Sequence, residues 1–246
     1  MRAVLLLGLL AVVGCQSTPP TPVSAPSERL SIMQGSTDST STVINVVLPK
    51  NKKYSYTIMF DSTVLQTPPI REKTWRDSDW KVETFSLACL TPNVDYDLKV
   101  ADETGHIVYE REFHTFSPAL KSPSIAVVSC LDDKFAELQK SQWRSVWNQV
   151  PDALFLIGDN VYVDTHVSGV TDREIWQRYV ETRRNLEIFK MPRLIPVFAT
   201  WDDHDFGSGD GDSSFQYKDL TKDIFQTFFP MEESKTLKKD PGVASA

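Results

Sequence analysis

The chain has 246 residues, with 26 Lys and Arg against 33 Asp and Glu, for a net charge of −7. That balance, with no cluster of basic residues anywhere along the chain, excludes a nucleic-acid-binding footprint. It leaves the substrate open, because a bound metal ion overrides the local field. At the N-terminus Arg2 precedes residues 3–13, which are apolar apart from Gly8. Such a run falls short of the roughly 20 apolar residues that span a bilayer. It has the length of the hydrophobic region of a secretory signal peptide.

The run ends on Val12, Val13 and Gly14, directly before Cys15. This resembles a bacterial lipobox, which implies a signal peptide over residues 1–14 and lipidation of Cys15. Residues 15–27 are rich in Pro, Ser and Thr with no apolar period, and read as a flexible linker behind the lipid. Gln16 follows the cysteine in place of the Asp that signals inner-membrane retention in many lipoproteins. The expected location is therefore the cell envelope: exported, membrane-anchored through the N-terminal lipid, on the periplasmic side of the outer membrane by default. The remaining stretch of about 220 residues suffices for one large or two modest domains.

Residues 28–117 read as the first. Runs at 42–48, 54–60, 80–87, 96–101 and 107–116 have strand character, with Gly, Pro, Asn and Asp between them. Short strands at this spacing predict an antiparallel β-sandwich. Leu90-Thr91-Pro92-Asn93-Val94-Asp95-Tyr96 resembles the tyrosine corner of fibronectin-III-like domains, in which the Tyr hydroxyl bonds back to upstream backbone. Such a module is a spacer or a docking domain, and no chemistry is assigned to it.

Beyond residue 122 the pattern changes. Residues 125–128 form a continuous apolar run, as in a strand covered on both faces. Phe135, Leu138, Trp143, Val146, Trp147 and Val150 then recur at helical steps. Residues 153–157 predict a second buried strand. Thr171 and Glu174 have the spacing of a capping box, opening a helix with the stripe Ile175, Trp176, Tyr179, Val180 and Leu186. A third strand over 194–199 and a third helix over 220–229 complete the series. This alternation predicts an α/β domain, residues 122–246, with a parallel sheet and crossover helices.

Polar residues follow each predicted strand: Ser129-Cys130, then Gly158-Asp159-Asn160-Val161-Tyr162, then Trp201-Asp202-Asp203-His204-Asp205. Parallel strands share one carboxyl edge, where ligands of open α/β sheets bind. All three clusters therefore belong on one rim. The carboxylates of Asp159 and Asp203 are hard oxygen donors, while the Cys130 thiolate and Tyr162 phenolate favour a ferric ion over magnesium. Two cations about 3.5–4 Å apart clamp a phosphoryl group and activate a water.

These three motifs resemble the successive motifs of PhoD-like (alkaline phosphatase D) metallophosphatases over roughly residues 28–229. The resemblance implies a fibronectin-III-like sandwich followed by the first half of a calcineurin-like metallophosphatase domain. It implies Fe(3+) and Ca(2+) as cofactors and a phosphate ester as substrate, hydrolysed without a phosphoenzyme. Cys130 and Tyr162 resemble ligands of the iron. Asp159 resembles the bridging carboxylate, and Asp203 stands where related enzymes place an Asn ligand. His204 resembles the imidazole that contacts phosphate and is the expected catalytic residue. Asn160 and Asp202 are expected to support the ligands from behind. With Cys130 on a metal, no disulfide to Cys89 is expected.

The family's later Asp and His ligands have no counterpart here, because the histidines are His106, His114, His166 and His204. The expectation is a truncated chain, weakly active or inactive alone, or one that works with a separate C-terminal fragment. The alternative reading is a calcium-binding envelope lipoprotein with a sandwich interaction domain, binding calcium through the acidic loop 202–212. That loop departs from the EF-hand pattern, since with Asp203 and Asp205 at positions 1 and 3 Gly207 falls one place too early.

Overall fold

A computed structural model describes residues 30–164, 170–207 and 209–231. The expected signal peptide, Cys15 and the whole linker lie outside the described residues, as does His166. The described chain is mixed α/β, with eight antiparallel strands followed by three parallel ones.

The antiparallel strands are β1 (Ser31–Thr37), β2 (Thr42–Pro49), β3 (Ser55–Phe60), β4 (Thr63–Gln66), β5 (Arg71–Thr74), β6 (Trp80–Leu87), β7 (Asp95–Ala101) and β8 (Ile107–His114). They form two four-stranded sheets, ordered β1-β2-β6-β5 and β4-β3-β7-β8. Ile32, Ile44, Val46 and Phe85 from one sheet meet Tyr56, Ile58, Leu98 and Phe113 from the other in a shared core. The Tyr96 hydroxyl accepts from Thr91 N at 2.6 Å and donates to Thr91 O at 3.4 Å, the backward bond expected of the corner. β1, β4 and β5 are additions to the strands read from sequence. β4 and β5 are short edge strands with mostly exposed side chains, so they carry no apolar alternation.

The first sheet is buried on both faces. Residues of β1, β2 and β6 that point away from the sandwich core, Met33, Val47 and Val82, join a second core with the helices. Asn45 and Arg183 are buried polar residues that bridge this junction. Asn45 donates to Thr227 O and Phe228 O at 2.9 and 3.1 Å. Arg183 donates to Phe228 O, to Asn45 Oδ1 at 3.0 Å and to Ser31 Oγ at 3.2 Å. Gly35 lies so close to Pro230 O that any side chain there would clash.

The parallel strands are β9 (Ile125–Val128), β10 (Ala153–Ile157) and β11 (Val197–Thr200), in the order β11-β10-β9. The helices are α1 (Ala136–Asn148), α2 (Asp172–Asn185), the single-turn α3 (Asp203–Phe206) and α4 (Lys218–Phe228). The capping box of α2 is present: Glu174 N donates to Thr171 Oγ1 at 3.3 Å and Thr171 N donates to Glu174 Oε2 at 3.0 Å. β11 begins three residues later than predicted. Pro196, which has no N–H for the ladder, precedes it, and the chain before that pairs instead with β8, where Leu194 N donates to Glu112 O at 2.7 Å.

Two expectations are corrected. β9 and β10 are covered on one face only: Leu154 and Leu156 are buried, whereas Ile125, Val127, Phe155 and Ile157 are 47, 58, 36 and 52 % exposed. Among the described residues the apolar face opposite the helical core is left largely exposed, with Phe116 stacked on Phe198 there, because α1, α2 and α4 pack with the sandwich on the other one. Likewise the apolar stripe of α1 is only partly used. Trp143 is buried and Val146 and Trp147 are half-buried, but Phe135, Leu138 and Val150 are exposed.

Candidate metal centre

The parallel pairings align Leu156 with Val128 and Ile157 with Thr200, so the three strands end at one edge. Cys130, Asp159 and Asp203 follow those ends directly, and the loops are stitched together. Cys130 N donates to Gly158 O at 3.3 Å, Leu131 N to Asp159 O at 2.8 Å and Val163 N to His204 O at 3.2 Å. Gly158, at φ 114°, is the closest approach: a Cβ there would lie 2.7 Å from Asp202 Cβ. Cys130 and Asp159 adopt left-handed φ values of 56° and 53°. For residues other than glycine such values are strained, and strain of this kind gathers at functional sites.

Ligand atoms of Asp159, Asp203 and His204 lie within 4.8 Å of one another. Asp159 Oδ1 is buried and has no hydrogen-bond partner. A buried carboxylate oxygen left without a donor is costly, and a cation satisfies it. Its other oxygen, Oδ2, takes the Tyr162 hydroxyl at 3.2 Å and the Cys130 thiol at 3.6 Å. Hence Asp159 faces the Asp203–His204 group and the thiol–phenol group at once. Burial, Cys130 and Asp159 all push the Tyr162 phenol well above its ordinary value. A metal bound there must displace that proton, so binding releases protons. Cys130 and Cys89 are both free and exposed. Among the described residues the donors fit one cation at Asp159, Asp203 and His204, with the Cys130 thiol and Tyr162 hydroxyl on the other Asp159 oxygen.

Asp203 is drawn below the usual carboxylate range by the Asp210 N–H, at 2.5 Å from its Oδ2, and by the His204 N–H on its Oδ1. It therefore stays ionised. Asp202 caps α3 through Asp203 N at 3.0 Å. Asn160 is buried and donates to Thr200 O at 2.7 Å, while its own Oδ1 has no partner.

Two further acids belong to the site: Asp164, outside the three motifs, and Asp205, which closes the third motif but had no role assigned from sequence. Asp164 Oδ1 lies 2.8 Å from His204 Nδ1, and its Oδ2 accepts from Gly209 N at 2.6 Å. This fixes the ring and leaves Nε2 as its other polar atom. The ring also stacks on Tyr162, with centroids 4.4 Å apart. Burial works to lower the imidazole, but Asp164, Asp159 and Asp203 outweigh it and raise His204 above its ordinary value. Asp205 is buried beneath the loop, and burial pushes its carboxyl up to about 7 against the N–H donors that pull it down. The only signal was position: Asp205 is the last residue of the third motif, and Asp164 lies two residues past the second. Elsewhere in the acidic loop, Asp212 Oδ1 accepts from Ser214 N at 2.8 Å rather than converging with Asp203.

Neither a protein-family model nor a curated protein sequence matches the chain. Among solved structures it is similar to the sensor domain of the anti-sigma factor RsgI4 in Pseudobacteroides cellulosolvens, at 17 % identity, over 39 % of this chain and 81 % of that one, with a TM-score of 0.27. A longer form of that domain matches at 18 % identity over 39 % of this chain and 99 % of that one, with a TM-score of 0.26. Astrotactin-2, a vertebrate perforin-like membrane protein, matches at 13 % identity over 63 % of this chain and 28 % of that one, with a TM-score of 0.28. Scores this low bear on neither fold nor function.

Proposed function

We propose that the chain is a metal-dependent phosphate-ester hydrolase of the PhoD-like type, built from a fibronectin-III-like sandwich and part of a calcineurin-like metallophosphatase domain. One observation carries the reading: Asp159, Asp203 and His204 converge within 4.8 Å at the carboxyl edge of the parallel strands, around a buried Asp159 oxygen that has no donor. Cys130, Tyr162 and Asp159 would hold iron, and Asp159 and Asp203 would hold calcium. When bound, the cations neutralise the phosphoryl oxygens and acidify a water.

The imidazole has two available roles, as a neutral ligand or as a protonated donor. Its contact with Asp164 and its raised pKa favour the donor. His204 then gives the Nε2 proton to the leaving oxygen, Asp164 holds the ring through Nδ1, and Tyr162 supports its face. The calcium-loop reading is weaker, because Asp212 serves Ser214 and Asp205 faces inward.

The test is metal loading of the full chain with ferric and calcium ions, followed by dialysis and elemental analysis. The expected result is bound iron with a purple or violet charge-transfer colour, lost in Asp159→Asn. Turnover of a chromogenic phosphate ester is expected to be weak and abolished by a chelator. Retention of calcium alone would favour the binding-module reading, and retention of no metal would refute both.

A further inference from the structure

We propose that Asp205 is the positioning residue that sets the span between Asp159 and the Asp203–His204 pair. The inference rests on the metal-site reading above and concerns how that site is held. Asp205 is wholly buried. Its Oδ1 accepts from Val161 N at 2.9 Å. Its Oδ2 accepts from Asp202 N at 3.0 Å and from Asn160 Nδ2 at 3.3 Å. Asn160 and Val161 come directly after Asp159, and Asp202 comes directly before Asp203. One carboxylate thus joins the loop that carries one metal-facing acid to the loop that carries the other. Its own backbone oxygen accepts from the Tyr179 hydroxyl at 2.9 Å, which ties the joint to α2.

The chemistry requires an Asp. Among the described residues no Lys, Arg or His bonds this carboxylate; its partners are the N–H groups of Val161, Asp202 and Asn160. Burying a carboxylate without a cationic partner is costly, and the three N–H donors that it accepts from offset that cost. Only a carboxylate accepts on both oxygens, and Asn in its place must turn an NH₂ toward one of the two loops. The close approach of Gly158 to Asp202 is independent of this carboxylate and shows the same two loops held at contact distance.

The test uses the full chain and Mn²⁺ as probe, read by calorimetry and by electron paramagnetic resonance. Wild-type protein that binds no Mn²⁺ would refute the metal reading itself, apart from any role of Asp205. Given wild-type binding, Asp205→Asn is expected to weaken Mn²⁺ at least ten-fold and to change the resonance line shape, with far-ultraviolet circular dichroism unchanged. Asp212→Asn removes the same charge from the same loop without cutting a strut, and is expected to shift affinity less than three-fold. Should Asp205→Asn not fold, Asn160→Ser cuts one of the three donors and is expected to give a smaller loss with the same change in line shape. A folded Asp205→Asn or Asn160→Ser chain with wild-type affinity and line shape would overturn the proposal. So would an equal loss in Asp212→Asn.

Discussion

Replacing Asn45 by Ala should separate the sandwich from the helical layer energetically. Asn45 sits on β2, wholly buried, and serves three bonds: to Thr227 O, to Phe228 O and from Arg183. The two carbonyls belong to the last turn of α4. Arg183 meets the same turn, and its guanidinium lies 4.4 Å from the Phe189 ring centroid. Among the described residues no carboxylate offsets its charge, and burial pulls it down to about 9. The helix C-terminus, which favours cations, takes that place. Two neutral bonds at about 1 kcal/mol each and one to a charged group at about 2 kcal/mol give a loss of about 4 kcal/mol for Asn45→Ala. In a domain of this size that lowers the melting midpoint by about 10 °C. Arg183→Met should cost less than half as much, because removing a buried charge recovers its desolvation penalty. The double variant should show a coupling of about 2 kcal/mol. Urea unfolding followed by tryptophan fluorescence measures all three, with Trp176 stacked on Trp75 at 6.1 Å as the reporter. A loss below about 1 kcal/mol for Asn45→Ala, or a larger loss for Arg183→Met than for Asn45→Ala, would refute the reasoning.

Three other outcomes follow from the same kind of accounting. Val150 is a β-branched residue at φ 50°, exposed, with its N–H on Trp147 O; Val150→Asn should stabilise the chain by about 1 kcal/mol in thermal melts, since the left-handed region costs other residues that much. Leu156→Ala should cost about 3 kcal/mol, whereas Ile157→Ala, one residue along on the exposed face, should change stability by less than about 0.5 kcal/mol; equal losses in urea titration would show that this face is covered in solution. Burial nudges the Asp38 carboxyl upward, but the Thr40 and Ser41 donors outweigh it and hold it below its ordinary 3.8. Its stabilising contribution is therefore present above the unfolded value and lost as pH falls through the folded one. Asp38→Asn should flatten the acid limb of melting midpoint against pH, and an unchanged limb would count against the turn.

The amino-acid sequence alone determined the order of most elements, though not β1, β4 and β5, and for a local reason: period-2 and period-3.6 patterns, the Thr171–Glu174 box and the Thr91–Tyr96 corner each lie within a few residues of chain. It also placed Cys130, Asp159 and Asp203 on one rim, because parallel strands share a carboxyl edge whatever their spatial order. It did not reveal the roles of Asp164 or of Asp205, although Asp205 closes the third motif. Their meaning lies in partners about 40 residues away in sequence, His204 and Val161, so no local pattern marks them. Nor did it reveal which face of the parallel sheet lies exposed. An apolar run such as residues 125–128 reads alike whether one face or two are covered, and only the packing of α1, α2, α4 and the outer side of the sandwich on a single face made the choice.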